Sequence, residues 1–360
     1  QKPELPPADP WLNALLADCY DTQRLSITFE EYFKTGRMDE AVPVLDRLAA
    51  LDPNGPIPKM FAGFSHAKAL EHITAVREYY DALGKGGDPE KICPFLVQSL
   101  LALGKVTEAA QLMADYHTKL PDSQPITKAY AEVALKQGDD KLARGLLEKV
   151  LEKEPYLQAQ NMSLAKILWA AGERDAAAKC LQRVATVYPN DVASRALLGE
   201  YYLGKADPVA AITSLEQARK YLPDHTAAKD SLTASLYSAY LQCGEKESAR
   251  ENWKEAADYF GKAVAIAPSQ LDGYVGLANA CVQLKQFRRA ADVLAKLATL
   301  DPQNPTIYLS LGDVVYQGGD AAQARQHWQK ARQLLGAGNN ELRAALDARL
   351  NGPITAETFK

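Results

Sequence analysis

The residues best suited to chemistry in this chain are its histidines, its cysteines and one glycine-rich stretch. His66, His72, His117, His225 and His327 include no i,i+4 pair and no His-Glu-x-x-His, the spacing that brings two imidazoles round a zinc ion on one helix face. Cys19, Cys93, Cys180, Cys243 and Cys281 lie far apart with no Cys-x-x-Cys, so neither a zinc ribbon nor a covalent haem site is encoded. They read as small apolar residues buried in helices. "GKGGDPEK" (84–91) lacks the order of a phosphate-binding loop and reads as a turn. "NMS" (161–163) matches a glycosylation triplet but falls inside an expected helix. The carboxylates read as solvated helix faces, and no catalytic pair stands out. The expectation is a non-catalytic chain with no metal and no cofactor.

Bulk properties narrow the partners. A net charge of −4 over 360 residues, without a long Lys/Arg run, argues against nucleic acid. No apolar stretch approaches the roughly 18 residues of a membrane span. The first residue is Gln1 and the opening "QKPELPPADP" is a Pro-rich lead-in. A trimmed, exported and periplasmic protein is expected from that start, with the cytoplasm as the alternative favoured by unpaired thiols.

A periodic pattern underlies the chain. Ala41, Ala75, Ala109, Ala143, Ala177 and Ala211 recur every 34 residues; after one step of 45 to Ala256 the period resumes at Ala290 and Ala324. Twelve residues after each register alanine stands a helix stop: Pro53, Pro121, Pro155, Pro189, Pro223, Pro268 and Pro302, with Gly87 and Gly336 in the other two slots. Gly36, Gly104, Gly138, Gly172, Gly244 and Gly319 read as mid-unit turns. Within each half-unit the apolar residues recur at three and four, so each unit is helix, turn, helix, stop. Gly63, Ala131, Ala165, Gly199, Ala278 and Gly312 read as small residues that let the two helices approach. Phe29 in that slot is expected to splay the first pair, and the end of the second unit, "LGKGGDP", to be loose. The 11 extra residues of the seventh unit are expected mostly before Ala256, in "EKESARENWKEAADYF", either as a tolerated longer helix or as a docking knob centred on Trp253.

This pattern resembles the tetratricopeptide repeat, on Arg195, Leu198-Gly199, Tyr202, Ala211, Leu215, Ala218 and Pro223 in one unit and Tyr308, Leu311-Gly312, Val315, Ala324, Trp328 and Ala331 in the last. The resemblance implies an all-α, right-handed superhelical solenoid of about nine helix-turn-helix units. Their bounds are 22–55, 56–89, 90–123, 124–157, 158–191, 192–225, 226–270, 271–304 and 305–338. Flanking them are a lead-in (1–8), an N-terminal capping helix (9–21) with Trp11 on its apolar stripe, a C-terminal capping helix (339–350) and a mobile tail (351–360). It also implies that first helices line a concave groove that holds a protein or peptide. The groove residues are then Lys128, Glu132, Lys136, Met162, Lys166, Trp169, Glu200, Asn279, Asp313 and Tyr316. The Lys/Asn/Arg clamp that a subgroup uses for acidic chaperone tails is not matched. Its positions hold Ser26, Glu30, Phe61, Lys91 and Phe95 in the first three units, and Lys128, Glu132, Ser163, Ala193 and Leu197 in units four to six.

The leading expectation is a scaffold for a partner protein or peptide within a bacterial multiprotein assembly. A second is the docking arm of a larger enzyme or exported redox protein. It rests on the likeness of "DPWLNALLADCYDTQRL" to exported bacterial repeat proteins, some of them fused to cytochrome c domains. A third is self-association into an oligomer.

Overall fold

The structure, a computed structural model, describes residues 12, 15, 16, 19–223, 226–335 and 339–351. Every regular element among them is an α-helix. The helices are α1 (Thr22–Lys34), α2 (Met38–Leu51), α3 (Pro56–Lys68), α4 (His72–Gly84), α5 (Pro89–Ala102), α6 (Val106–Lys119), α7 (Gln124–Gln137), α8 (Asp140–Lys153) and α9 (Gln158–Ala170). They continue as α10 (Arg174–Val187), α11 (Val192–Gly204), α12 (Pro208–Lys220), α13 (Ala227–Ala249), α14 (Trp253–Ile266), α15 (Leu271–Gln283), α16 (Phe287–Leu300), α17 (Pro305–Gln317), α18 (Ala321–Leu334) and α19 (Asn340–Asn351). The chain forms two compact units, 1–172 and 173–360. Within each, consecutive helices pack as antiparallel neighbours, and first helices of successive repeats also touch: α3 with α5 and α5 with α7 in one unit, α11 with α13 and α13 with α15 in the other.

Local chemistry sets the helix ends. Asp139, Asp191, Asp207 and Asp320 each accept a hydrogen bond from the backbone N–H three residues on, satisfying donors that a helix start leaves unpaired. Pro56, Pro89, Pro208 and Pro305 open their helices where no N–H is needed. The mid-repeat turn is uniform. Five residues before each register alanine the backbone is left-handed: Gly36, Leu70, Gly104, Gly138, Gly172, Ala206, Glu251, Lys285 and Gly319 all have positive φ. After Gly138 the N–H of Asp139 is donated to the carbonyl five positions back, Ala134 (3.0 Å), and after Glu251 that of Asn252 to Glu247 (2.9 Å).

The helices of a pair meet at one repeated seat. A Cβ placed on Gly63, Gly199, Gly244 or Gly312 would lie 2.7, 2.4, 2.6 or 2.4 Å from the side chain of Tyr79, Leu215, Phe260 or Trp328 respectively. In each case the large residue stands sixteen positions after the glycine. Ala131 with Leu147 and Ala278 with Leu294 repeat the relation with all four residues buried. Burying each such side chain contributes about 1.5–3 kcal/mol. A second recurring device joins one repeat to the next. Asn161 Nδ2, Arg195 Nε and Tyr274 Oη donate to the carbonyls of Pro155, Pro189 and Pro268 at 2.8, 2.7 and 3.0 Å.

Several expectations are corrected. Gly244 is not a turn residue; it is the seat for Phe260, and Glu251 makes the turn. The extra residues of the seventh repeat therefore lie upstream of Gly244, not between it and Ala256. They extend α13 to 23 residues at its N-terminal end. Phe29 does not splay the first pair: it is buried and meets Phe61 edge-on at 4.5 Å. Among the pairs that lie within one unit, α5 with α6 is the least extensively packed, and Val97 and Met113 stand at its two seat positions. The end of the second repeat is closed, with Gly86 N–H on Leu83 O and Gly87 N–H on Ala82 O at 3.0 and 2.9 Å. At the N-terminus Leu12, Leu15, Leu16 and Cys19 pack on the core of α1 and α2; Trp11, the lead-in 1–8, His225, Gly336 and residues 352–360 of the expected tail lie outside the described residues.

Left-handed backbone costs a residue with a Cβ about 1–2 kcal/mol, whereas glycine adopts it freely but loses more freedom on folding. Leu70→Gly and Lys285→Gly are each expected to raise stability by about 0.5–1 kcal/mol, read as a higher urea midpoint at unchanged slope. A lower midpoint would contradict the turn assignment.

Candidate functional site

Two clefts lie on the first-helix faces, one in each unit. The first, of about 600 Å³, is bounded by three successive first helices, α5, α7 and α9. Gln98, Glu132, Gln160 and Ser163 supply its polar groups, and Pro94, Pro125 and Leu147 its apolar surface. The second, also about 600 Å³, lies along α13 and α15, with Trp253, Phe260, Leu241 and Val275 as apolar surface and Glu245, Asp272 and Asn279 as polar groups. Leu147 and Phe260 are seat residues. The side chain that joins two helices also forms part of the cleft wall, so packing and site share atoms. Phe260 is held on both sides, since a Cβ on Gly276 of the neighbouring first helix would lie 2.5 Å from its ring.

The ten expected groove residues are distributed unevenly. Lys128 and Glu132 share the first cleft, and Asn279 lines the second. Lys128 is committed to an ion pair with Glu154 at 2.7 Å, while Glu132 is exposed. Lys136, Lys166 and Glu200 are exposed, and Met162 and Trp169 half-buried, outside either cleft. Asp313 and Tyr316 differ from expectation. Arg349 of α19 grips Asp313 through Nε and Nη2 at 2.6 and 2.7 Å, and Trp328 Nε1 donates to the same carboxylate at 2.9 Å. Asp313 therefore ties α17 to the terminal helix, and it lines neither cleft. Tyr316 packs on Trp328 with ring centroids 5.8 Å apart. Arg349 lies 36 residues downstream of Asp313 and outside the repeat register, so no periodic signal could announce the pair.

Gln98, Glu245 and Asp272 were not expected in the site. Gln98 is one period before Glu132, and Glu245 one period before Asn279, so the register does reach them. Phe260 was hidden because its glycine was read as a turn.

Among the described residues no three metal-ligating side chains gather, and no helix is long and apolar enough to cross a membrane. All five thiols are free; Cys93, Cys180, Cys243 and Cys281 are buried, and Cys19 is half-buried. Burial pushes the Cys93 thiol up to about 12. Asn161 of the glycosylation triplet is fully buried and spends its amide on Pro155 and Leu157 carbonyls.

These features define a helical-repeat protein with a cleft on the first-helix face of each unit. The chain carries tetratricopeptide repeats: the tetratricopeptide repeat model matches residues 275–340, and the same sequence register recurs from Ala41 to Ala324. The FAT domain model matches residues 126–293, which here are helix pairs of that register. The TPR repeat-containing protein YpiA of Bacillus subtilis is 22% identical over 208 residues, covering 58% of this chain and 47% of YpiA. Human tetratricopeptide repeat protein 21B is 28% identical over 180 residues, covering 50% of this chain and 13% of that protein. The chain thus spans less than half the length of either relative. A crystallised tetratricopeptide repeat protein from Parabacteroides merdae is 14% identical, with 74% of this chain and all of that one covered at a TM-score of 0.38.

Removing one member of a largely buried, hydrogen-bonded ion pair costs about 3–5 kcal/mol locally. Arg349→Ala is therefore expected to speed amide hydrogen exchange across α19 by 100-fold or more, with α3 to α8 unchanged. Unaltered exchange in α19 would show that Asp313 does not hold it.

Proposed function

We propose that this chain is a non-catalytic scaffold that holds an extended segment of a partner protein against its first-helix faces, within a multiprotein assembly of an exported compartment. The observation that carries the reading is the first cleft, to which three successive first helices, α5, α7 and α9, contribute side chains. An extended peptide presents unpaired N–H and C=O groups along its length. Gln98 and Gln160 offer both donors and acceptors to such a backbone, Glu132 accepts, and Pro94, Pro125 and Leu147 give its side chains an apolar bed. Repeat proteins bind along extended surfaces by many modest contacts, which suits a cleft without a deep anchor pocket.

The test is capture by the immobilised protein from the source organism's own extract, compared with a Glu132→Lys, Lys166→Glu variant. Both residues are exposed, so helicity and Tm should hold. The expected result is a reproducible set of proteins that the variant loses. A separate Trp169→Ala with Lys166→Glu variant asks whether the end of α9 contributes: weaker capture with an unchanged Tm supports contact there, and unfolding assigns Trp169 to the core. An identical set captured by the first variant would overturn the placement of the site.

A further inference from the structure

The two clefts differ in charge. The first contains one cation, Lys128, and one anion, Glu132. The second contains Glu245 and Asp272 and no cation. Neither carboxylate has an ion-pair partner among the described residues, and both are exposed. The nearby Arg250 is spent on Glu247 at 2.9 Å, and Lys246 does not line the cleft. Between the two carboxylates lies uncovered apolar surface. Val275 is 46% exposed, Leu241, Val282 and Trp253 are half-buried, and the buried Phe260 completes the apolar lining. Glu245 shares its register position with Asn279, seven residues along α15 from Asp272, or about 10 Å of helix rise.

We propose that the second cleft binds an extended peptide that carries lysine or arginine beside a bulky aliphatic residue. The cationic side chains meet Glu245 and Asp272, the aliphatic one covers Leu241, Val275 and Phe260, and Trp253 offers a ring face to the cation. This assignment rests on the scaffold reading and gives its partner a chemistry. The cleft selects by charge: a peptide with acidic residues in the same places would face two unpaired carboxylates with no compensating cation.

Three fluorescein-labelled decapeptides test it by anisotropy with the full chain. One has two lysines and two leucines among serine and threonine; its twins carry glutamate or glutamine for lysine. The lysine peptide is expected to bind, and the glutamate twin to bind at least tenfold more weakly. Glu245→Gln with Asp272→Asn, and separately Asn279→Lys, should each weaken the lysine peptide at least tenfold with helicity and Tm unchanged; Glu132→Lys in the other cleft should not. Equal binding of the glutamate or glutamine twin, or lysine-peptide binding that survives both variants, overturns the assignment. Binding lost only with Glu132→Lys overturns it while leaving the scaffold reading in place. No binding by any peptide overturns it also, and the capture experiment then decides the scaffold reading alone.

Discussion

A Cβ on Gly312 would sit 2.4 Å from Trp328, closer than two carbon atoms approach without one of them moving. That contact, repeated as Gly63 under Tyr79, Gly199 under Leu215 and Gly244 under Phe260, is the constraint on which the remaining structure depends. A small residue on the first helix and a large apolar one sixteen positions later fix how closely a pair packs. The left-handed residue between them fixes the angle at which the chain returns. Val97 and Met113 stand at the two seat positions of α5 and α6, the least extensively packed of the pairs within a unit.

The same side chains carry the packing into the site. Leu147 and Phe260 fill seats and also wall the clefts, and Trp328 passes through its pair to bind the carboxylate that anchors α19. A substitution at a seat therefore changes both stability and the surface offered to a partner. Gln98, Glu132, Glu245 and Asn279, by contrast, line the clefts from exposed positions and fill no seat.

Much of the fold was legible because steric demands recur with a fixed period. The register alanines and the terminal prolines each mark a place where one residue type is strongly preferred. The turns were half legible: five are glycines, but Leu70, Ala206, Glu251 and Lys285 take the same backbone without announcing it. Gly244 misled because a glycine serves equally as a turn or as a seat, and only the pairing with Phe260 sixteen residues on separates the two uses. The site was less legible. The cleft positions of Lys128, Glu132 and Asn279 follow from register, whereas the Asp313–Arg349 pair joins residues that the period does not relate. Cleft charge is likewise a sum over residues from several helices, which no single repeat displays.

The seat is tested most directly by two alanine substitutions in helices of the same unit. Gly261 of α14 has no atom within 4 Å of an added Cβ, while Gly312 of α17 lies against Trp328 and the Ala324 carbonyl. Alanine at an open helix position stabilises by about 0.5–1 kcal/mol, whereas overpacking a closed one costs about 1–3 kcal/mol. Chemical denaturation should therefore show Gly261→Ala above the parent and Gly312→Ala below it. If both variants shift in the same direction, helix propensity and not the seat governs how these repeats pack.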